Sequence, residues 1–308
     1  MSTQELAKSE KAKSFKKKKK PVLKEVDPIN FNELVEAAEG LVTDVFIPDE
    51  EHRTLVEVND WITMPEPICD ILSTPGLPCG HIVECLGGPD SGKSSLATHA
   101  LIGAQNDGGI AILIDTEHKF DIDRAVAMGL NRGGFIITRA ETIEDVFEKY
   151  VAWMKLIRSK EKWLERKVAM VWDSLGATPC RDELDETTKD HNMRAAHAIT
   201  AGLRKTRYFL RKTNAAFLMI NQVYQKQTKT PWEKKTTGRG GMSPEYFSSI
   251  RLEFTRIGKI AKTIKGEKIK VGITSNVEAI KNHMGVPFRS ARLEIDRKGI
   301  VYGRKAEL

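Results

Sequence analysis

The stretch "GGPDSGKSS" (Gly87–Ser95) sets the interpretation of the whole chain. It contains three glycines and one proline around a single lysine, Lys93, and no large apolar side chain. The segment before it, "HIVECL" (81–86), has the composition of a short buried strand, and the segment after Lys93, "SSLATHALIGA" (94–104), is typical of a helix. The pattern therefore predicts a glycine-rich loop between a strand and the N-terminus of a helix.

A loop of this kind suits a polyphosphate. Its backbone N–H groups, the positive end of the helix dipole and the Lys93 ammonium converge on one place. The loop also fits G-x-x-x-x-G-K-[ST], in which the hydroxyl after the lysine, here that of Ser94, is a ligand of Mg²⁺. The alternative is an ordinary glycine-rich turn, which the flanking strand and helix disfavour. We expect the loop to bind a nucleotide through Gly87, Gly88, Pro89, Asp90, Ser91, Gly92, Lys93, Ser94 and Ser95.

The net charge of +7 is concentrated at the amino terminus. Residues 1–26 contain nine lysines and three glutamates, which leaves a net charge of only +1 for the remainder of the 308 residues. This composition predicts a disordered Lys-rich tail over 1–26. The run "KKKKK" (16–20) has three interpretations, namely a contact with nucleic-acid phosphates, a nuclear address, or a segment that keeps the protein soluble.

The bulk composition predicts a globular protein of the cytoplasm. A hydrophobic content of 40% is sufficient for one large core. No apolar run reaches the length of a membrane span, and the amino terminus lacks the apolar stretch of a signal peptide. The four cysteines show neither C-x-x-C spacing nor histidines placed for zinc, so we expect reduced, packed thiols.

Strand and helix patterns alternate along most of the chain. This alternation predicts an α/β fold with a mostly parallel central sheet and helices on both faces. One helix begins at a capping box, Thr142-x-x-Asp145, and keeps helical apolar spacing to Ile157. After Gly241, strand patterns with short turns, the first being "SIRLEFTRIG", predict an antiparallel C-terminal extension of the sheet. The five apolar runs of the parallel part are "HIVECL", "IAILID", "GFIITR", "KVAMVWD" and "AAFLMIN".

Polar residues follow three of these predicted strands. Because ligands of open parallel sheets bind outside the carboxyl ends of the strands, these residues are expected to converge on the glycine-rich loop. The segment "DTEH" contains Glu117, a carboxylate that can deprotonate a water for attack on the γ-phosphate. Asp173 offers a carboxylate to the Mg²⁺ shell, and the amides of Asn221 and Gln222 are candidates to contact the terminal phosphate. Each residue alone is common turn chemistry, so the argument rests on their combination.

The succession of these motifs resembles the RecA recombinases. The segments are "GGPDSGKSS", "LIDTEHKFDIDRA", "VWDSLGATP", "MINQ" and "TTGRGGMSPEYFSSIRLEFTRIG", in the family's order and spacing, over roughly residues 61–303. The resemblance implies a RecA-like P-loop NTPase core over 61–308. It also implies a small N-terminal helix–strand element with its linker over 27–60, which docks on a neighbouring subunit. The chain ends soon after Gly303, so we expect a compact, phage-encoded type of relative without an additional C-terminal domain.

The resemblance also implies roles for individual residues. Lys93 and Ser94 would hold the phosphates and Mg²⁺, Asp173 would hold the water shell of the metal, Glu117 would be the catalytic base, and Gln222 would sense the γ-phosphate.

Three further positions are implied at the nucleotide. Arg124 lies where relatives stack an aromatic or arginine side chain on adenine, although an exposed helix arginine is the alternative. Two cations of the adjacent subunit complete the ATP site in the family. Lys281 matches the first cation, whereas the second position holds His283, which is largely neutral at pH 7.

Two segments correspond to the DNA-binding loops of the family, 180–197 and 223–241. The first is acidic until Arg194, whereas the second combines five cations with two aromatic residues and one glutamate. Cations neutralise phosphates, and aromatic or methionine side chains stack on bases without reading their identity. The alternative is a solvated surface loop. The predicted DNA-binding residues are Met193, Arg194, Tyr224, Lys226, Lys229, Trp232, Lys234, Lys235, Arg239, Gly240 and Gly241.

The implied function is that of an ATP-dependent recombinase. The protein would use ATP and Mg²⁺, form helical homo-oligomeric filaments on single-stranded DNA with ATP between subunits, and pair this DNA with homologous double-stranded DNA. Turnover would be that of a DNA-dependent ATPase, with no membrane partner. The alternatives are a hexameric helicase or motor of the same fold, a recombination mediator that binds ATP and DNA without strand exchange, and a metabolic kinase.

Overall fold

The computed structural model describes residues 58, 60–184, 191–211, 213–225, 236–264 and 266–302. The chain divides into two compact units, 1–55 and 56–308, and every described residue belongs to the second. The Lys-rich tail predicted for 1–26 lies outside the described residues. The same holds for the N-terminal element predicted for 27–60, apart from Val58 and Asp60. Both remain predictions.

Between Ile82 and Gln225, each described strand is followed by one or two helices before the next strand begins. The first part comprises β1 (Trp61–Thr63), α1 (Glu66–Leu72), β2 (Gly76–Pro78), β3 (Ile82–Gly87), α2 (Lys93–Asn106), β4 (Ile110–Asp115), α3 (Ile122–Met128), a 3₁₀ turn (Arg132–Gly134), β5 (Phe135–Arg139), α4 (Ile143–Arg158), α5 (Glu161–Leu164) and β6 (Val168–Asp173). The second part comprises α6 (Arg181–Leu184), α7 (His191–Leu210), β7 (Ala215–Gln225), β8 (Thr236–Gly238), α8 (Ser243–Phe247), β9 (Ile250–Ile264), β10 (Glu267–Asn282), β11 (Ser290–Asp296) and β12 (Gly299–Tyr302).

Among the described residues, the main sheet has ten strands in the order β12-β11-β10-β9-β3-β7-β6-β4-β5, with β8 paired to β7. The six strands from β9 to β5 in this order are mutually parallel, and β10, β11 and β12 continue the sheet antiparallel. The predicted α/β class with an antiparallel C-terminal extension is therefore confirmed. Strands β1 and β2 form a separate small sheet.

The prediction for "SIRLEFTRIG" was wrong in one respect. These residues form the first part of β9, which pairs parallel to β3 from Val83↔Ile250 to Gly87↔Phe254, so the antiparallel extension starts only at β10. A strand pattern reports which residues are buried but carries no information on the direction of the neighbouring strand. The chain runs back beside β7 in the antiparallel strand β8 before α8 and β9 follow, so β9 has the same direction as β7 and β3.

Helices cover both faces of the sheet, as predicted. Side chains alternate along each strand, so Val83 and Cys85 of β3 pack in the core that contains α1 and α2. The alternate positions of the strands face the other way. Ile112 and Ile114 of β4, for example, pack in the core under α4 and α7. The parity of a strand residue, meaning its odd or even position along the strand, therefore decides which face of the sheet its side chain occupies.

Helix α4 begins where the capping box places it. The Asp145 N–H donates to the Thr142 hydroxyl oxygen over 3.2 Å. Helix α7 packs against α4 at Gly202, where an added Cβ would lie 2.0 Å from the Phe147 ring, so only glycine fits this contact. The four cysteines are free thiols, in agreement with the sequence. None of the described helices is long and apolar enough to cross a membrane.

One histidine ties the end of the sheet to α2. The Ile300 N–H donates to His99 Nε2 over 3.0 Å, and burial lowers the pKa of His99 from 6.5 to about 4. The folded protein therefore holds His99 neutral at pH values where the unfolded chain protonates it. The stability contributed by neutral His99 is fully present above pH 6.5 and is lost as the pH falls toward 4.

We predict that His99→Gln reduces the dependence of stability on pH. Gln supplies an acceptor for the Ile300 N–H but does not titrate. The wild-type free energy of unfolding should fall between pH 7.5 and pH 5.0 by about 2 kcal/mol more than that of the variant. Urea denaturation at the two pH values measures the difference, and equal losses in both proteins would contradict the assignment.

Candidate nucleotide site

The glycine-rich loop has the predicted path. Strand β3 ends at Gly87 and α2 begins at Lys93. Gly92 has a φ of 107°, and an added Cβ would lie 2.2 Å from the Ile295 side chain. Both the backbone conformation and the close approach of β11 therefore require glycine before Lys93.

Lys93 turns back into this loop. Its ammonium donates to the carbonyl oxygens of Gly87 over 2.9 Å and Gly88 over 2.6 Å. The residue is only 8% exposed, and burial lowers its pKa, while the charges of Asp173 and Glu117 oppose this shift. The loop therefore encloses a cation whose position is set by backbone oxygens.

Strand parity determines which predicted side chains reach this loop. Asp115 has the parity of Leu113, Asp173 has that of Val171, and Gln222 has that of Ile220, so all three lie on the face covered by α2. The structure brings them together with Lys93, Ser94 and Glu117 around one cavity of about 470 Å³. These residues come from three strands and the glycine-rich loop, and they meet at the carboxyl edge of the sheet.

Glu117 is held in a tight turn after β4. One oxygen of Asp115 accepts the N–H groups of Glu117 over 3.1 Å and of His118 over 2.8 Å. Glu117 Oε1 in turn accepts hydrogen bonds from the Ser174 hydroxyl and, over 3.1 Å, from Gln222 Nε2. The residue predicted as base and the residue predicted as γ-phosphate sensor are thus in direct contact.

Asp173 lies beside two other carboxylates. Burial, followed by the negative charge of Glu117, raises the pKa of Asp173 to about 6, while a hydrogen bond from Ser94 opposes the shift. A positive charge placed beside these oxygens would offset the repulsion between the carboxylates.

Arg124 lies on α3 at the border between this cavity and a second one of about 820 Å³. Its guanidinium donates to the Ser95 hydroxyl over 2.8 Å, directly beside the first turn of α2. The second cavity is also lined by Asp121 and Asp123 of the α3 region and by Asp296 at the end of β11. A base attached to phosphates in the loop has space here.

Asn221 does not belong to this group, although the sequence suggested that it contacts the phosphate. Its parity places it on the opposite face, where Nδ2 donates to Glu84 Oε1 over 2.8 Å and to the Arg239 carbonyl over 2.9 Å. The Arg239 N–H donates to Asn221 Oδ1 over 3.1 Å. Asn221 therefore fixes the backbone at Arg239.

Sequence reasoning missed Glu84. It is fully buried in β3, and its second oxygen lies 2.6 Å from Nε of Arg251, which in turn pairs with Glu245 over 2.9 Å. The available signal was a single acidic residue inside the apolar run "HIVECL", which requires a partner when buried. Glu84, Asn221 and Arg251 form a buried polar network behind the nucleotide cavity.

The two residues matched to trans-acting cations lie away from this cavity, at the end of β10. The Lys281 ammonium donates to the Glu245 carbonyl over 2.7 Å, and burial and then the charge of Arg251 lower its pKa. His283 lies at the surface, and its partial desolvation, followed by the charge of Lys281, lowers its pKa, which favours the neutral imidazole.

The predicted DNA-binding residues are described in part. Lys226, Lys229, Trp232, Lys234 and Lys235 lie outside the described residues, and Tyr224 is placed only as part of β7. Met193 is 66% exposed on α7, and Arg194 Nη1 lies 2.6 Å from Asp182 Oδ2. Gly240 and Gly241 follow β8 with φ values of 96° and 65°. Arg239 lies beside them and pairs with Glu183 over 2.5 Å.

The strand–loop–helix geometry and the polar cluster at the carboxyl edge define a P-loop α/β protein. A family model described as the RecA N-terminal domain matches residues 53–303. The chain therefore belongs to the RecA family, and the resemblance seen in the sequence is confirmed.

Curated relatives agree with this assignment. The chain is 34% identical over 224 residues to Protein RecA of Chlamydia trachomatis serovar L2, in a match covering 71% of this chain and 59% of the relative. It is 35% identical over 221 residues to Protein RecA of Leifsonia xyli subsp. xyli, covering 71% and 58%. With Protein RecA of a Wolbachia sp., the identity is 30% over 229 residues, covering 73% and 60%. The chain thus matches less than two thirds of the length of these relatives.

We predict that Asn221→Ala lowers the free energy of unfolding by on the order of 2–3 kcal/mol, because it leaves a buried oxygen of Glu84 and the backbone of Arg239 without partners. The matched control is Asn214→Ala, which removes an exposed hydrogen bond of Nδ2 to the Glu165 carbonyl. Urea denaturation should show a loss below about 1 kcal/mol for the control. Equal losses would show that the buried network contributes no more to the free energy of unfolding than the exposed hydrogen bond does.

Proposed function

We propose that this chain is an ATPase that couples nucleotide turnover to single-stranded DNA in homologous recombination. Membership of the RecA family supports the recombinase class. The observation that carries the ATPase proposal is the contact of Glu117 with Gln222 in a cavity that also contains Lys93, Ser94 and Asp173. A base, a phosphate sensor, a cation and a metal-binding pair thus share one cavity.

The residues present fit a Mg²⁺-bound triphosphate. The hydroxyl of Ser94 and the carboxylate of Asp173 are hard oxygen ligands, and Asp173 has a raised pKa of about 6 that a nearby cation would lower. Mg²⁺ supplies neutralisation of the charge on the β- and γ-phosphates. The enclosed Lys93 ammonium would exchange its contacts with the loop carbonyls for contacts with phosphate oxygens.

Side chains of this protein would perform the remaining steps. Glu117 would accept a proton from the attacking water at Oε2, which lies 3.8 Å from the exposed Lys119 ammonium, because Oε1 already accepts from Ser174 and Gln222. Gln222 would hold the carboxylate in orientation and exchange its contact with Glu117 for one with the terminal phosphate. Arg124 would lie flat on the base, since the Ser95 hydroxyl fixes its guanidinium beside the loop.

DNA binding is proposed at the same edge of the sheet, and assembly involves the opposite edge, where β10 ends beside the start of β9. Gln222 and Tyr224 lie on the strand that leads into the basic segment, so a change at Gln222 can reach the DNA-binding residues through β7. We propose a helical filament in which Lys281 and His283 complete the ATP site of a neighbouring subunit. The neutral imidazole of His283 would weaken that contribution. Pairing with homologous double-stranded DNA, the N-terminal docking element and a cytoplasmic location belong to the same proposal.

Removal of the Lys93 ammonium tests the glycine-rich loop. Lys93→Ala should weaken ATP binding by on the order of 100-fold, because charge-assisted contacts to phosphate are lost, and it should abolish nucleotide-dependent DNA binding. The control is Lys160→Ala, an exposed lysine next to α5. Fluorescence of a labelled ATP analogue and anisotropy of labelled oligo(dT) measure both effects. Unchanged, ATP-responsive DNA binding in Lys93→Ala would refute the assignment of this loop.

A substitution at Glu117 separates ATP binding from ATP hydrolysis. Glu117→Gln should retain ATP binding and DNA-bound filaments but lose ATP turnover by at least about 100-fold, since the proton acceptor is removed while its shape is kept. The measurements are steady-state ATPase with and without single-stranded DNA, together with electron microscopy. A fully active variant would place the base elsewhere, and a ring in place of a helix would favour the hexameric motor.

A further inference from the structure

Arg239 carries an internal ion pair at the position predicted to contact DNA. Its Nη2 lies 2.5 Å and 2.7 Å from the two carboxylate oxygens of Glu183, and its Nη1 donates to the Gly176 carbonyl over 3.3 Å. Both terminal nitrogens of the guanidinium are therefore engaged by protein oxygens. Glu183 belongs to α6, and Gly176 lies in the connection between β6 and α6.

This pair is more shielded from water than its neighbours. The side chains of Arg239 and Glu183 are 24% and 20% exposed. The nearby pair Arg194–Asp182 has side chains that are 48% and 45% exposed, and such pairs contribute little in water. Shielding strengthens the attraction between Arg239 and Glu183 and raises the cost of separating them without a replacement anion.

The backbone of Arg239 is also fixed. Asn221 bonds both its N–H and its carbonyl, and the next residue in β7, Gln222, contacts Glu117. A continuous set of contacts therefore joins the proposed catalytic base to Glu183 through Gln222, Asn221 and Arg239. The Arg239 backbone cannot carry the guanidinium away from Glu183 without breaking its hydrogen bonds with Asn221.

We propose that Glu183 competes with a phosphate of single-stranded nucleic acid for Arg239. A guanidinium binds carboxylate and phosphate oxygens with the same N–H donors, so a phosphate group suits the place that Glu183 occupies. Binding of the nucleic acid at Arg239 requires displacement of Glu183, and the ion pair thereby lowers affinity for DNA. The inference rests on the proposed function, which it extends to an internal competitor of the DNA site.

Glu183→Gln tests this competition. The substitution keeps the shape of the side chain and removes its charge. It should tighten binding to labelled oligo(dT), measured by anisotropy without added nucleotide, by about tenfold. Because Arg239 stays paired with Glu183 when the wild type binds DNA through its other residues, the variant gains one phosphate contact. The slope of log affinity against log salt should therefore become steeper by about 0.7, the value for one phosphate contact on a single strand. The double variant Glu183→Gln/Arg239→Gln should lose this gain.

The matched control is Glu148→Gln. Glu148 pairs with Arg181 over 2.8 Å in an exposed pair and does not contact Arg239, so the same loss of one charge should leave the affinity nearly unchanged. Thermal melting checks that each variant folds. If Glu183→Gln melts at a lower temperature, Glu183→Asp, which keeps the charge but shortens its reach, should give a smaller gain in affinity.

The outcomes separate this inference from the proposed function. An affinity of Glu183→Gln equal to that of the wild type or of Glu148→Gln would overturn the competition, as would a gain that persists in the double variant. If the wild type binds single-stranded DNA, neither of these two outcomes contradicts the proposed function. A chain that binds no single-stranded DNA with or without ATP would overturn both.

Discussion

Charged groups lie buried or half-buried at and behind the carboxyl edge of the parallel sheet, and each has a partner. Lys93 is held by carbonyls of its own loop, Glu84 by Asn221 and Arg251, and Glu117 by the Ser174 hydroxyl and Gln222. A buried charge without such contacts would cost several kcal/mol, so the pairing fixes the conformation of every connection at this edge. The site geometry follows from this requirement.

Strand parity divides these partners into two groups. Residues facing α2 surround the proposed nucleotide, and residues on the opposite face form the network of Glu84, Asn221 and Arg251. Asn221 and Gln222 are adjacent in sequence and lie on opposite faces of β7, so this strand is a direct physical link between the two groups. Gln222 is directly bonded in the chain to Asn221, which fixes the backbone of Arg239. In the proposed function, coupling between nucleotide and DNA would therefore need no long pathway through the protein.

Much of this arrangement was predictable from local pattern. Loop chemistry identified the residues from Gly87 to Ser95, because a tight turn before a helix N-terminus restricts the residue types that fit. Apolar runs identified the strands, and the rule that ligands bind at the carboxyl edge brought Glu117, Asp173 and Gln222 to one place. The pattern did not reveal that β9 pairs parallel to β3, because side chains alternate in the same way whether the neighbouring strand is parallel or antiparallel.

The sequence by itself determined the class of fold, the glycine-rich loop and the set of polar strand ends, because these depend on residues close together in the chain. Only the tertiary structure decided which of those polar groups meet. The contact between Glu117 and Gln222, the burial of Glu84 and the ion pair of Arg239 with Glu183 join residues far apart in sequence. Such contacts depend on strand order and on the face that each side chain occupies, and composition carries neither.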